Sequence, residues 1–185
     1  MKNIQIKIGG FGGQGIVLAG YILGKAASIH DRKNATLTQS YGPESRGSSC
    51  SAQLIIGKDE IDYPKVSHPD ILLIMSQEAY DKFTPELARG GTLLYDEDLA
   101  KPTNNFGKTT KVHSIPATRY AEELGKKIVA NIIMLGFFTA VSGMISPDAM
   151  KKSIRSSTPS GFEELNVKAF QRGYESGLTK INKKP

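Results

Sequence analysis

The 185-residue sequence contains no tryptophan, a single cysteine (Cys50) and only three histidines. One thiol cannot form an intramolecular disulfide, and it cannot by itself hold an iron–sulfur cluster or a cysteine-based zinc ion. His30, His68 and His113 lie too far apart in the sequence to form a local metal-binding motif. We therefore expect no metal site in this chain, and we expect any electron-carrying cluster to lie on another chain.

Long apolar runs are also missing. The two main apolar stretches, 128–141 and 71–75, are interrupted or short, and neither reaches the roughly 20 residues that a membrane span needs. A strand pattern begins at Ile4, which leaves no space for a signal peptide. We expect a cytoplasmic protein that has no membrane partner.

The formal net charge is +6, but no recognisable nucleic-acid-binding motif accompanies this basic excess. We interpret the charge as an aid to solubility and as attraction to an acidic ligand or partner, and we do not predict nucleic-acid binding.

Hydrophobic periodicity predicts strands that alternate with helices. Strands are predicted at 4–8, 35–39, 50–56, 61–63, 71–75, 91–95 and 111–115, and helices at 13–29, 77–83, 117–124, 131–142, 147–154 and 162–174. The first helix has apolar residues on two faces, which predicts that it is mostly buried. This order favours a three-layer Rossmann-like α/β fold with a mostly parallel sheet, formed by a single domain over residues 1–185.

Six residues after the first strand satisfy the G-x-G-x-x-G pattern of dinucleotide-binding turns: Gly10, Phe11, Gly12, Gly13, Gln14 and Gly15. Such a turn lets an anion approach the free N–H groups of the following helix. NAD binding also requires an acidic residue about 20 positions later, at the end of the second strand. That strand ends in Thr38-Gln39-Ser40, and Asp31 comes too early. The pattern favours an anion other than NAD, or glycines that serve packing alone.

A polar loop follows the second strand and supplies further candidate ligand-binding residues: Ser40, Tyr41, Gly42, Pro43, Glu44, Arg46 and Gly47. In a doubly wound sheet, loops at the carboxyl ends of neighbouring strands meet over one crevice, so this loop is predicted to face the glycine turn. Tyr41 offers a stacking surface, and Arg46 offers a planar donor group for phosphate or carboxylate. Alternatively, Glu44 pairs with Arg46 and stiffens the loop.

No catalytic arrangement is recognisable in the sequence. It shows no clear Ser-His-Asp order, no metal-ligand pair and no P-loop lysine. The catalytic residues are therefore unknown, and the isolated chain is expected to be inactive.

Five ordered segments resemble the gamma subunits of 2-oxoacid:ferredoxin oxidoreductases, and the resemblance covers nearly the whole chain. They are Ile8–Gly15, Thr38–Gly47, Met75–Asp81, Asn131–Gly136 and Asn166–Phe170. The segments 40–44 and 60–64 are most similar to the 2-oxoglutarate branch. Ser45 and Ser48 depart from the family pattern, which leaves the local loop geometry open.

The resemblance implies a multi-subunit enzyme that oxidatively decarboxylates a 2-oxoacid to its acyl-CoA and reduces ferredoxin. It implies thiamine diphosphate and iron–sulfur clusters on alpha, beta and ferredoxin-like delta subunits, with coenzyme A as cosubstrate. It also implies that this chain helps to form the coenzyme A side, and it adds Asn131 to the candidate ligand-binding residues. Self-association of the isolated chain is left open.

Two other functions remain open from the sequence. The chain could be a free-standing NAD(P)-binding oxidoreductase that uses the glycine turn, or a purely structural assembly subunit.

Overall fold

The computed structural model describes residues 3–40, 49–103 and 106–182. Its strands are β1 (Ile4–Phe11), β2 (Asn34–Ser40), β3 (Ser49–Gly57), β4 (Ile71–Ile74), β5 (Thr92–Asp96) and β6 (Lys111–Ile115). Its α-helices are α1 (Ile16–Lys25), α2 (Gln77–Phe83), α3 (Ala117–Glu123), α4 (Ala130–Ser142), α5 (Pro147–Arg155) and α6 (Glu163–Asn182). Most predicted elements are present with boundaries shifted by one to three residues.

The six strands form one sheet in the order β2-β3-β1-β4-β5-β6. β1, β4, β5 and β6 pair in parallel, whereas β3 runs antiparallel to both β1 and β2. The predicted α/β fold with a mostly parallel sheet is confirmed. The antiparallel β2–β3 pair was not predicted, and it places β3 between β2 and β1.

The two faces of the sheet are covered unequally. The larger core packs α1, α3, α4, α5 and α6 against one face, and α2 covers the other face through Ala79, Tyr80 and Phe83. α6 lies directly on α4. The contact is so close that a Cβ at Gly136 would come within 2.1 Å of the Phe170 carbonyl oxygen. The sheet is therefore the middle layer of three.

Three details differ from the predictions. Residues 61–63 do not form a strand. Helix α1 begins only at Ile16, ends in a π-helical turn over Ala26–His30, and leaves Leu18 and Tyr21 exposed, so it is less buried than its two apolar stripes predict. α6 continues eight residues past the predicted end, because Gly173 and Gly177 are packing positions against α4 and not helix terminators.

Candidate ligand site at the carboxyl edge of the sheet

The glycine turn lies at the edge where the parallel strands end. β1 ends at Phe11, α1 begins at Ile16, and β4 ends beside β1 with Ile74 paired to Gly9. The chain leaves β1 in one direction toward the β2–β3 pair, and β4 lies on the other side. The gap between β1 and β4 is thus the topological switch point, where ligands bind in open α/β sheets.

The side chain of Gln14 bridges this gap. Its Oε1 accepts a hydrogen bond from the Phe11 N–H at 2.6 Å, and its Nε2 donates to the Met75 carbonyl at 2.8 Å. Both partners are backbone groups at strand ends that would otherwise need another partner. Gln14 therefore joins the ends of β1 and β4, and its amide is engaged with the protein itself.

Three glycines of the turn are required by packing. A Cβ at Gly9 would lie 2.7 Å from the Phe83 ring, and a Cβ at Gly10 would lie 2.5 Å from Gln14 Oε1. Gly15 has φ +72°, and a Cβ there would lie 2.3 Å from Asn131 Nδ2. For these positions, the interpretation that the glycines serve packing is sufficient.

Gly12 and Gly13 are different, because both are exposed. Gly13 has φ +96°, a conformation that side chains rarely adopt, yet among the residues that the structure describes no atom beyond its chain neighbours lies within 4 Å of the position of its Cβ. Directly behind it, the first N–H groups of α1 have no acceptor within the helix, and the N-cap residue Gly15 has no side chain to cap them. This part of the turn has both the space and the donors for an anion.

Asn131 lies beneath the turn, and it is only 3% exposed. Its Nδ2 donates to the Gly15 carbonyl at 3.0 Å, and its Oδ1 accepts from the Ile132 N–H at 2.9 Å. In the structure this predicted ligand-binding residue holds the start of α1 against the start of α4. It supports the turn from inside.

The loop that was predicted to face the turn cannot be placed residue by residue: Tyr41, Gly42, Pro43, Glu44, Arg46 and Gly47 lie outside the described residues. Its flanking residues are described. Phe11 pairs with Ser49, and Ser51 pairs with both Gly9 and Ser40. The described residues on either side of this segment, Ser40 and Ser49, therefore lie at the edge that carries the glycine turn.

Sequence reasoning missed two charged residues at this edge. Lys82 of α2 donates to Ser49 Oγ at 3.0 Å, which brings a cation to the loop's end. Asp96, at the end of β5, is fully buried and accepts from Thr118 N–H, Thr118 Oγ1 and Asp98 N–H at 2.6–3.1 Å. Burial raises the pKa of Asp96, against the lowering effect of these hydrogen bonds. Two sequence signals were available for these residues. Lys82 follows Ser76 at helical spacing, and Asp96 comes at the end of a predicted strand.

The topology argues against the dinucleotide interpretation. In an NAD-binding fold the ribose-binding acid ends the strand beside β1, but here the neighbour of β1 is the antiparallel β3. Ser40, at the end of β2, is two strands away, about 10 Å.

Asp31 binds the Ser146 N–H at 2.8 Å and the Ser146 hydroxyl at 2.7 Å. Burial raises its pKa, but these hydrogen bonds and Lys33 outweigh that effect and lower it.

Comparison with known proteins agrees with this geometry. The family model described as pyruvate ferredoxin/flavodoxin oxidoreductase matches residues 5–176. The chain belongs to this family. It is 48% identical over 172 residues to the 2-oxoglutarate synthase subunit KorC of Methanocaldococcus jannaschii, with 92% of each chain covered.

Solved structures of the oxidoreductase family share the fold. A keto/oxoacid ferredoxin oxidoreductase gamma subunit from Geobacter sulfurreducens PCA is 40% identical and superposes with a TM-score of 0.84. The superposition covers 95% of this chain and 99% of that one. A 2-oxoglutarate:ferredoxin oxidoreductase from Magnetococcus marinus, with 2-oxoglutarate, coenzyme A and succinyl-CoA bound, also has a TM-score of 0.84. At 18% identity, and with 97% of this chain matching 32% of that one, it supports the fold alone.

The residues of this oxidoreductase subunit do not fit an iron–sulfur cluster. The one thiol, Cys50, is buried in β3, and burial raises its pKa, which disfavours the thiolate that a cluster needs. Within residues 3–40, 49–103 and 106–182, no group of three or more His, Cys, Asp or Glu side chains is placed to hold a metal ion. Over the same residues, no helix is long and apolar enough to cross a membrane.

Proposed function

We propose that this chain is the gamma subunit of a 2-oxoglutarate:ferredoxin oxidoreductase. The complex would convert 2-oxoglutarate and coenzyme A to succinyl-CoA and carbon dioxide, and the two electrons released would reduce ferredoxin. The observation that carries the proposal is the 48% identity to a 2-oxoglutarate synthase subunit over 92% of both chains. We treat residues 1–185 as one gamma-type domain that acts in the cytoplasm.

In this proposal the cofactor chemistry belongs to partner chains. Alpha, beta and ferredoxin-like delta subunits would hold thiamine diphosphate, which supplies the decarboxylation chemistry, and the iron–sulfur clusters, which carry the electrons. The chain has one cysteine in total, and that thiol is buried in the sheet, which supports the assignment of the clusters to other subunits.

The contribution of this chain would lie at the coenzyme A side of the active site. Three features of the carboxyl edge support this role: the exposed Gly12 and Gly13, the uncapped start of α1, and the attachment of the 41–48 loop beside them. Backbone N–H groups at a helix start, together with Lys82 and Arg46, suit the phosphates of coenzyme A. Gly10, Gln14, Gly15 and Asn131 would shape the turn without touching the ligand.

The first experiment omits this chain. Partner subunits produced with it should reduce ferredoxin when given 2-oxoglutarate and coenzyme A, and the same subunits without it should not. Pyruvate and 2-oxoisovalerate, assayed in parallel, should be poorer substrates. Full activity without this chain, or with this chain alone, would contradict the proposed division of labour.

The second experiment separates a ligand-contacting turn from a purely structural one. The variants Gly13→Asn and Gly13→Asp introduce side chains of nearly the same shape. Asparagine and aspartate both tolerate positive φ, but only aspartate adds a negative charge. If a phosphate approaches the turn, Gly13→Asp should raise the KM for coenzyme A about tenfold over Gly13→Asn, which is about 1.4 kcal/mol. Equal KM values would favour the purely structural subunit.

Arg46 gives an independent test of the loop. Arg46→Ala should raise the KM for coenzyme A in the assembled complex, because the ligand loses a charged donor. Arg32→Ala is a suitable control, since Arg32 is exposed and precedes β2 at the opposite edge of the sheet. An unchanged KM for Arg46→Ala would remove Arg46 from the binding site.

A further inference from the structure

A cavity opens at the opposite, amino edge of the sheet, where the parallel strands begin. Its volume is about 860 Å³. Its floor is apolar and comes from the strand ends and from the end of α4: Ile4, Ile56, Ile71, Leu94, Val141 and Met144. Gly143 ends α4 with φ +60°, and in the described part of the chain no atom beyond its chain neighbours lies within 4 Å of the position of its Cβ, which leaves space beside this floor.

Cations converge on this cavity from separate parts of the chain. They are Lys33 before β2, Lys58 after β3, Arg89 before β5, Lys111 at the start of β6, and Lys180 near the end of α6. Among the described residues that line the cavity, the one carboxylate is Asp70, which accepts a hydrogen bond from the Gln5 N–H at 2.8 Å. A lysine-rich helix face would be an ordinary solvated surface, but five separate segments meeting at one concavity are not.

Three of these cations are available to a ligand. Lys33 is engaged with Asp31 and with the Met144 carbonyl, and Lys180 donates to Ser114 Oγ at 3.4 Å. Lys58, Arg89 and Lys111 are exposed, and in the part of the chain that the structure describes they form no ion pair. Among the described residues, the cavity therefore combines an apolar floor with a net positive charge at its rim.

His113 lies in the cavity wall and senses this charge. The residue is partly buried, and its register partner across β5–β6 is Leu94 of the floor. Burial lowers the pKa of His113 most, and the charges of Lys180 and Lys111 lower it further. An anion bound among these lysines would oppose that effect, so His113 can report on occupancy.

We propose that this cavity binds a small amphipathic anion. Its apolar body lies on the apolar floor described above, and its carboxylate or phosphate head contacts Lys111, Arg89 and Lys58. Ligand pockets of this size are typically apolar with a few charged groups that fix orientation. The site is separate from the glycine turn, because the two lie at opposite ends of the same strands. The proposal does not depend on the role of the chain as a gamma subunit.

The test is calorimetric titration of the full-length chain with decanoate, decyl phosphate and decyltrimethylammonium, each below its micelle-forming concentration. At least one of the two anionic probes should bind saturably, and the tighter of them identifies the preferred head group. The cationic probe has the same apolar body and should bind at least about tenfold more weakly. Equal binding of the cationic probe, or no saturable binding of either anion, would overturn the proposal.

Two variants locate the binding. Arg89→Ala combined with Lys111→Ala should weaken binding of the preferred anion about tenfold or more, since two exposed charges are lost. Lys126→Ala, which removes an exposed lysine that does not line the cavity, should leave binding unchanged. In the unmodified chain, the same probe should raise the His113 pKa measured by NMR. An unaffected double variant or an unmoved His113 pKa would contradict the assignment.

The assembled oxidoreductase decides between a ligand site and a subunit interface. If the cavity is a ligand site, the anion should bind the complex as it binds the free chain. If the complex excludes the anion, a partner subunit covers the cavity, and the proposal fails. Failure here leaves the proposed gamma-subunit function intact, because the omission experiment tests whether the complex needs the chain and does not depend on whether this cavity binds an anion.

Discussion

At the carboxyl edge of the sheet, the amide side chains near the glycine turn are engaged with the protein's own backbone: Gln14 with Phe11 and Met75, and Asn131 with Gly15. At the amino edge, Lys58, Arg89 and Lys111 surround an apolar cavity without an ionic partner in the described part of the chain. A sequence motif thus marks the edge whose shape is fixed by internal hydrogen bonds. The edge with the cavity of about 860 Å³ carries no motif.

The two kinds of binding surface therefore need different sequence signals. A backbone site needs glycines at fixed spacing, because its donors are N–H groups and its shape depends on φ and ψ. A side-chain site can draw its cations from distant segments, which produces no local pattern. Three predictions test this contrast.

The largest effect is expected at Gly15. Gly15→Ala adds a side chain at φ +72° that would lie 2.3 Å from Asn131 Nδ2, so it combines backbone strain with displacement of a buried amide. We expect a loss of about 3 kcal/mol in the free energy of unfolding, measured with urea. Gly13→Ala, with φ +96° but open space, should lose only about 1 kcal/mol. Equal losses would show that the two glycines do not differ in packing.

A smaller loss is expected at Gln14. Gln14→Ala removes hydrogen bonds to the Phe11 N–H and to the Met75 carbonyl, and leaves both part-buried groups without that partner. We expect a loss of about 2 kcal/mol in the same urea measurement. Gln171→Ala, which removes only a surface hydrogen bond to Glu175, should lose less than about 0.5 kcal/mol. A loss at Gln14 no larger than this control would mean that the bridge between β1 and β4 contributes little.

The smallest effect is a pH dependence at the amino edge. The folded state lowers the pKa of His113 below the ordinary histidine value of 6.5, so the unfolded state binds the proton more tightly and stability falls as the pH drops below about 6.5. Lys111→Ala should raise the folded-state pKa of His113, measured by NMR, and reduce this loss of stability. A His113 pKa that does not respond to Lys111→Ala would show that the cavity's charges are screened by solvent.

Much of the fold followed from periodicity, because buried strands and capped helices have local signatures. Helix α2 and strand β6 have the predicted bounds, and Ser146 caps α5, accepting from Ala149 N–H at 3.1 Å. The antiparallel pairing of β3 could not be predicted, since a strand's direction depends on its partners and not on its own alternation. The length of α6 was missed because its glycines contact α4, a tertiary contact that has no local signal.

The candidate site was predictable only in part. The glycine spacing located the turn, but the division between packing glycines and exposed glycines depends on Phe83 and Asn131, which are distant in sequence. Asn131 was selected by resemblance, and its burial beneath Gly15 gives it a supporting position. The predicted contribution of Arg46 and its neighbours stays a prediction.

The most direct test of the account is hydrogen–deuterium exchange of the assembled oxidoreductase, with and without coenzyme A. We predict that coenzyme A slows exchange in peptides that cover residues 9–18 and leaves peptides that cover 89–94 and 111–115 unchanged. Slowed exchange at the amino edge, with no change over residues 9–18, would contradict the assignment of the coenzyme A side to the glycine turn.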